Sequence, residues 1–132
     1  MAHLMQRLYP KPDLVISSPA KRAIDTAAFF ATAYDIPFSD IQQEATLYEA
    51  TPMDLMRVIS QLPDTAFHVV LVGHNPGLTE LVNQFLESPL LNLPTCGIVE
   101  LQSTATNWRS LYEENTTVVQ QWFPKTSLGP SE

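Results

Sequence analysis

Apolar positions along the chain alternate between short β-branched runs and stripes at helical spacing. Leu4, Met5 and Leu8 form one such stripe over residues 2–9, and Pro10 and Pro12 end it. No capping residue precedes this stripe, so it reads as the last turns of a helix. Leu14, Val15 and Ile16 lie between Pro12 and Pro19 and predict a buried strand. Ser18 is expected to cap a helix with Pro19 at its first position, and Ala23, Ile24, Ala27 and Phe30 carry one face of it to about Ala33. Residues 38–47 are weaker and suggest a short strand and a loop. Thr51 and Pro52 open a further helix with Leu55, Met56 and Ile59 inward and Asp54 near its positive end. Pro63 and Asp64 turn the chain into residues 67–72, the strongest strand pattern present. A turn of Gly73, His74, Asn75, Pro76 and Gly77 then leads into a helix over about residues 78–86. Residues 98–102 predict another strand, and residues 108–112 with 118–123 a hairpin-like pair.

Strands that alternate with helices predict an α/β three-layer domain, helices on both faces of a mostly parallel mixed sheet. In such sheets ligands sit at the carboxyl ends of the strands. Both strand-to-helix turns therefore point to one edge, which brings Ser17, Ser18 and Arg22 towards Gly73, His74 and Asn75. The domain is expected to span residues 1–124, with residues 125–132 a loose tail.

Composition narrows the function. The 132 residues carry 14 acidic against 7 basic side chains, a formal net charge of -7. No basic stripe is available for sequence-independent binding to nucleic acid or anionic lipid, so an anionic substrate needs a local cationic pocket. A chain of this length buries about two thirds of its unfolded surface, enough for a core without staples. The single cysteine, Cys96, forms no internal disulfide and has no paired base, and it reads as structural. A cytoplasmic location follows as the expectation, since no apolar run approaches the ~20 residues of a membrane span and no signal-peptide core is present.

Two residues could carry chemistry. Arg22 sits early in its helix beside the Ser18 hydroxyl, the parts from which a phosphate site is built, although the same arginine would also suit a solvated helix face. His74 stands in a glycine-flanked turn where an imidazole can donate to an anion or move a proton; a histidine satisfied by loop carbonyls fits the same place. His3 and His68 read as structural or surface residues, and no histidine, cysteine and carboxylate spacing suits a metal. Serine-hydrolase elbows, nucleotide phosphate loops and dinucleotide fingerprints are absent from the sequence.

Taken together, Asp13-Leu14-Val15-Ile16-Ser17-Ser18-Pro19-Ala20-Lys21-Arg22-Ala23 with Thr26-Ala27, and then Val70-Leu71-Val72-Gly73-His74-Asn75-Pro76-Gly77-Leu78, resemble the histidine phosphatase superfamily, the phosphoglycerate mutase-like enzymes. Within it the sequence is most similar to the SixA-type phosphohistidine phosphatases, through Leu93-Pro94-Thr95-Cys96-Gly97-Ile98-Val99 and the Trp108 region, as far as Lys125. The resemblance implies a phosphatase that passes a phosphoryl group to its own histidine and then to water, with no metal or cofactor. It implies that Arg22 clamps the phosphoryl oxygens and that His74 is the second histidine, which stabilises charge in the transition state. Ser18 and Asn75 join Arg22 as candidate substrate-binding residues, and Glu49, less distinctly Glu44, falls where some relatives place a proton donor; either glutamate could equally be a surface carboxylate.

The sequence departs from that family at one point. The family's nucleophile belongs to an Arg-His-Gly or Arg-His-Ala motif ending its first strand, and no Arg-His pair occurs in these 132 residues. The chain therefore reads as truncated at its amino end, with an unpaired strand edge that would favour a homodimer. Enzymatic activity stays open at this stage. The expected substrate is a phosphohistidine protein or small phosphate ester; the alternatives are a non-catalytic phosphate- or phosphoprotein-binding module and an inactive gene fragment.

Overall fold

The computed structural model describes residues 2–89 and 98–122. In chain order they form α1 (Ala2–Leu8), β1 (Leu14–Ser17), α2 (Lys21–Ala33), β2 (Gln42–Gln43), α3 (Pro52–Ser60), β3 (Val69–Val72), α4 (Gly77–Asn83), β4 (Ile98–Ser103) and β5 (Thr116–Trp122). Short 3-10 turns occupy Phe38–Asp40, Ala45–Leu47 and Trp108–Ser110.

β1 lies at the centre of a parallel three-stranded sheet in the order β2-β1-β3, with Ile16 opposite Gln42 on one side and Leu71 on the other. Alternation along the strands sends side chains to two separate cores. On one face Ile16 joins Leu47, Leu55, Val58, Leu62 and Leu81, with Leu14, Val69 and Leu71 packed against them, so α3 and α4 cover that side. On the other, Val15 meets Ala27, Ala31 and Ile41, with Val70 and Val72 alongside, beneath α2. The expected three layers follow from this division.

The sheet is parallel throughout its three strands, and the antiparallel part is a separate β4-β5 pair. Among the described residues β3 has a partner only on its β1 side. All four of its residues stay half-exposed, whereas Val15, Ile16 and Ser17 of β1 are buried.

Three local expectations are corrected. α2 begins at Lys21 with Ala20 at its cap and without a side-chain cap, so Ser18 and Pro19 precede the helix. The Ser18 hydroxyl instead accepts the Ala20 N–H at 3.2 Å. The strand of residues 67–72 starts only at Val69: Phe67 is 84% exposed, and the N–H groups of Phe67 and His68 donate to Asp13 Oδ2 at 2.7 and 3.0 Å. Trp108 does not enter a hairpin; its ring N–H donates to the Pro63 and Ala66 carbonyls at 3.1 and 2.9 Å, and β5 pairs with β4.

Helix ends are set by local chemistry. α3 opens on a reciprocal capping box, Thr51 Oγ1 accepting from the Asp54 N–H and Asp54 Oδ2 from the Thr51 N–H, both at 3.1 Å. α2 closes with Ile36 N–H donating to Ala31 C=O and Asp35 N–H to Thr32 C=O, at 2.7 and 3.2 Å. That pattern needs a left-handed residue, and Asp35 supplies it at φ 56°.

Asp13 gives a pH prediction. The Phe67 and then the His68 N–H bonds hold its carboxyl below the ordinary carboxylate range. A lowered folded-state value means that this stabilisation is present above the unfolded carboxylate value of about 4 and is lost as pH falls through the lower folded value. Thermal melts of the wild type and Asp13→Asn should therefore differ most near neutrality and converge in acid. A difference that does not shrink as the pH falls below that range would show the carboxylate charge to be irrelevant.

Candidate functional site

The two strand-to-helix turns meet because β1 and β3 are adjacent and in register, Ser17 opposite Val72. The contact continues one residue beyond the strands, where the Ser18 N–H donates to the Val72 carbonyl at 3.0 Å. Ser18 is thereby fully buried, and its Oγ lies 2.8 Å from His74 Nε2. The pairing inferred from topology is thus present between these two side chains.

Hydrogen-bond bookkeeping assigns the protons. Ser18 Oγ already accepts from Ala20, and among the described residues Nε2 is the acceptor within reach of its single hydroxyl proton. The hydroxyl therefore donates to Nε2 when the imidazole is neutral, which leaves the ring proton on Nδ1. When His74 is doubly protonated the roles reverse, because Nε2–H then donates to Oγ. His74 can thus change protonation without losing its anchor. Ser18, with no exposed surface, orients the histidine and is not an accessible nucleophile.

Arg22 is the second residue of α2 and is exposed. Its neighbour Lys21 is paired with Asp25 at 2.8 Å, while no carboxylate pairs with Arg22 among the described residues. An unneutralised guanidinium at the start of a 13-residue helix adds its charge to the positive end of the helix dipole. Asn75 is exposed, and its Oδ1 accepts from Thr79 Oγ1 at 2.8 Å and from the Thr79 N–H at 3.3 Å, steadying the first turn of α4.

Neither glutamate is buried. Glu44 caps the Ala45–Leu47 turn, its Oε1 accepting the Thr46 N–H at 3.4 Å. Glu49 is exposed in the next turn, where its backbone is left-handed at φ 54°. For a non-glycine residue that conformation costs about 1 kcal/mol or more. Cys96 lies outside the described residues, and among those described no three histidine, cysteine or carboxylate side chains converge as a metal site would require.

Two features escaped the sequence. The glycine that sterics demand is Gly77: a Cβ there would collide with the Ala50 carbonyl oxygen, while one on Gly73 would meet Leu78 at an ordinary 3.5 Å. Tyr48 lies against His74 with ring centroids 5.5 Å apart and planes at 90°. No sequence spacing predicts that contact, since it depends on how the Ala45–Leu47 turn docks beside α4.

Neither protein-family models nor curated proteins match the sequence. Solved structures do match the fold. A candidate SixA phosphohistidine phosphatase from Nakamurella multipartitia superposes with a TM-score of 0.73 at 21% identity, over 93% of this chain and 77% of that one. A candidate of the same kind from Agrobacterium tumefaciens gives 0.74 at 23%, over 93% and 75%. The protein histidine phosphatase SixA complexed with tungstate gives 0.73 at 20%, over 93% and 76%. At such identities the likeness is one of architecture, and this chain has the SixA-like histidine phosphatase fold.

Proposed function

We propose that these residues form the phosphoryl-holding part of a metal-independent phosphohistidine phosphatase, cytoplasmic, acting on a phosphohistidine protein or a small phosphate ester. The Ser18–His74 contact carries the reading, because it joins the two motifs at the end of the sheet where Arg22 stands unpaired. In this reading Arg22 binds two phosphoryl oxygens, and His74 donates from Nδ1 to the charge that grows on the phosphoryl group in flight. Asn75 and Ser18 shape the turn, and Glu49 is the proton donor where the leaving group needs one. The nucleophile is a histidine on a strand outside these residues, seated along the free edge of β3. It would attack phosphorus in line, displace the leaving group, and pass the phosphoryl group on to water. Without that strand, the same edge is where a second copy would pair.

A second reading has one fact in its favour, the lack of any Arg-His pair in the sequence. In that reading the chain holds phosphate or a phosphorylated partner without turning it over. Calorimetry of the 132-residue chain with tungstate and with inorganic phosphate tests what both readings share. One oxyanion per chain should bind, and Arg22→Ala should weaken binding by about ten- to a hundredfold, as loss of a charge-assisted pair does. Absence of binding, or equal binding by the variant, would remove the phosphoryl site. Turnover of a phosphohistidine mimic by the protein isolated from its own cells then separates enzyme from binding module.

A further inference from the structure

We infer that Tyr48 is a positioning residue for His74, holding the plane of its imidazole. The inference rests on the phosphoryl-site reading for its purpose, though not for its geometry. Among the described residues the His74 ring has one hydrogen-bond partner, Ser18 Oγ at Nε2, 2.8 Å away, and one aromatic neighbour, the Tyr48 ring at 5.5 Å and 90°. One hydrogen bond fixes one ring atom and leaves the plane free to swing about that bond. A perpendicular aromatic ring blocks the swing, so the two contacts together aim Nδ1 in one direction.

The turn that carries Tyr48 is built to hold it there. Leu47, just before it, has no exposed surface and belongs to the α3-side core. The Tyr48 N–H donates to the Ala45 carbonyl at 3.1 Å. Glu49, just after it, is held left-handed, and the Ala50 carbonyl presses on Gly77, the first residue of the helix that follows His74. The turn is therefore clamped to the same segment as the histidine. Tyr48 itself is 56% exposed, so burial of its own surface gives a weak account of why a large aromatic ring stands at this point.

The test is nitrogen-15 shifts and relaxation of the imidazole at about pH 8, above the ordinary histidine value, on the wild type, Tyr48→Phe and Tyr48→Ala. Tungstate calorimetry and a thermal melt accompany each. The wild type and Tyr48→Phe should show His74 as a rigid ring in the Nδ1-protonated tautomer. Tyr48→Ala should melt as cooperatively as the wild type, keep the tautomer that Ser18 sets, show the relaxation of a mobile His74 ring, and bind tungstate roughly three- to tenfold more weakly, the range an aromatic edge contact supports. A His74 ring as rigid in Tyr48→Ala as in the wild type overturns the inference, as does a ring already mobile in the wild type. A Phe variant that behaves like the Ala variant overturns the ring as the agent. If the ring is mobile only in Tyr48→Ala and tungstate binds to none of the three proteins, the positioning role stands and the phosphoryl reading falls.

Discussion

Replacing His74 by alanine should lower the turnover number by about a hundred- to a thousandfold, the loss that follows removal of one preorganised donor to transition-state charge. The measurement belongs in a protein that also carries the nucleophilic strand proposed above. Nδ1 of His74 is free of the Ser18 hydroxyl, which holds Nε2, so the donor is oriented before substrate arrives. A donor that acts mainly as charge builds in the transition state affects kcat far more than KM. In the proposed site Arg22 differs, because a guanidinium there would hold the ground-state phosphoryl oxygens as well, and Arg22→Ala should raise KM and lower kcat together. An unchanged kcat in His74→Ala would sink the assignment of this turn to catalysis, whatever the fold.

Leu47→Ala should destabilise the protein by about 2–5 kcal/mol, the range for truncating a buried leucine. Leu47 has no exposed surface and is packed with Ile16, Leu55, Val58, Leu62 and Leu81, so its side chain spans the sheet and the α3 layer at once. Few neighbours can collapse into the space it leaves, since β1 is fixed on both sides by its strand partners. Total stability of a small domain is about 5–15 kcal/mol, so one such loss removes a large share. Denaturant midpoints of the variant and the wild type would measure it. A change under about 1 kcal/mol would mean that the Ala45–Leu47 turn relaxes freely.

Much of the fold was legible in the sequence because its signals are local. A β-branched run between two prolines gave β1, a second run ended by Gly73 gave β3, and the Thr51, Pro52 and Asp54 cluster gave the start of α3. Juxtaposition of Ser18 and His74 followed from topology alone, since parallel neighbours place their carboxyl ends side by side. The errors arose where a local preference met a distant partner. Ser18 has the chemistry of a helix cap, but it lies three residues before the helix begins at Lys21, and its hydroxyl is bound to His74 and to Ala20. Phe67 and His68 fit a strand pattern, yet their N–H groups are held by the Asp13 carboxylate. Trp108 is a strand former by propensity, and the Pro63 and Ala66 carbonyls hold its ring N–H instead. Tyr48 gave no signal, because its role lies in the packing of one turn on another.

The register of the parallel sheet also dictates when the site comes into being as the chain folds. β4 and β5 follow one another in sequence, joined by residues 104–115, and their pairing closes a shorter loop than that of β1 with β3. β1 must find β3 across the whole of α2 and α3, and such long-range parallel pairing is intrinsically slow. Ser18 reaches His74 only after that step, since the two sit just past the ends of the paired strands. In a refolding experiment the hairpin should therefore gain amide protection first, and oxyanion binding should appear last, as a reporter of the completed native state and not of secondary structure.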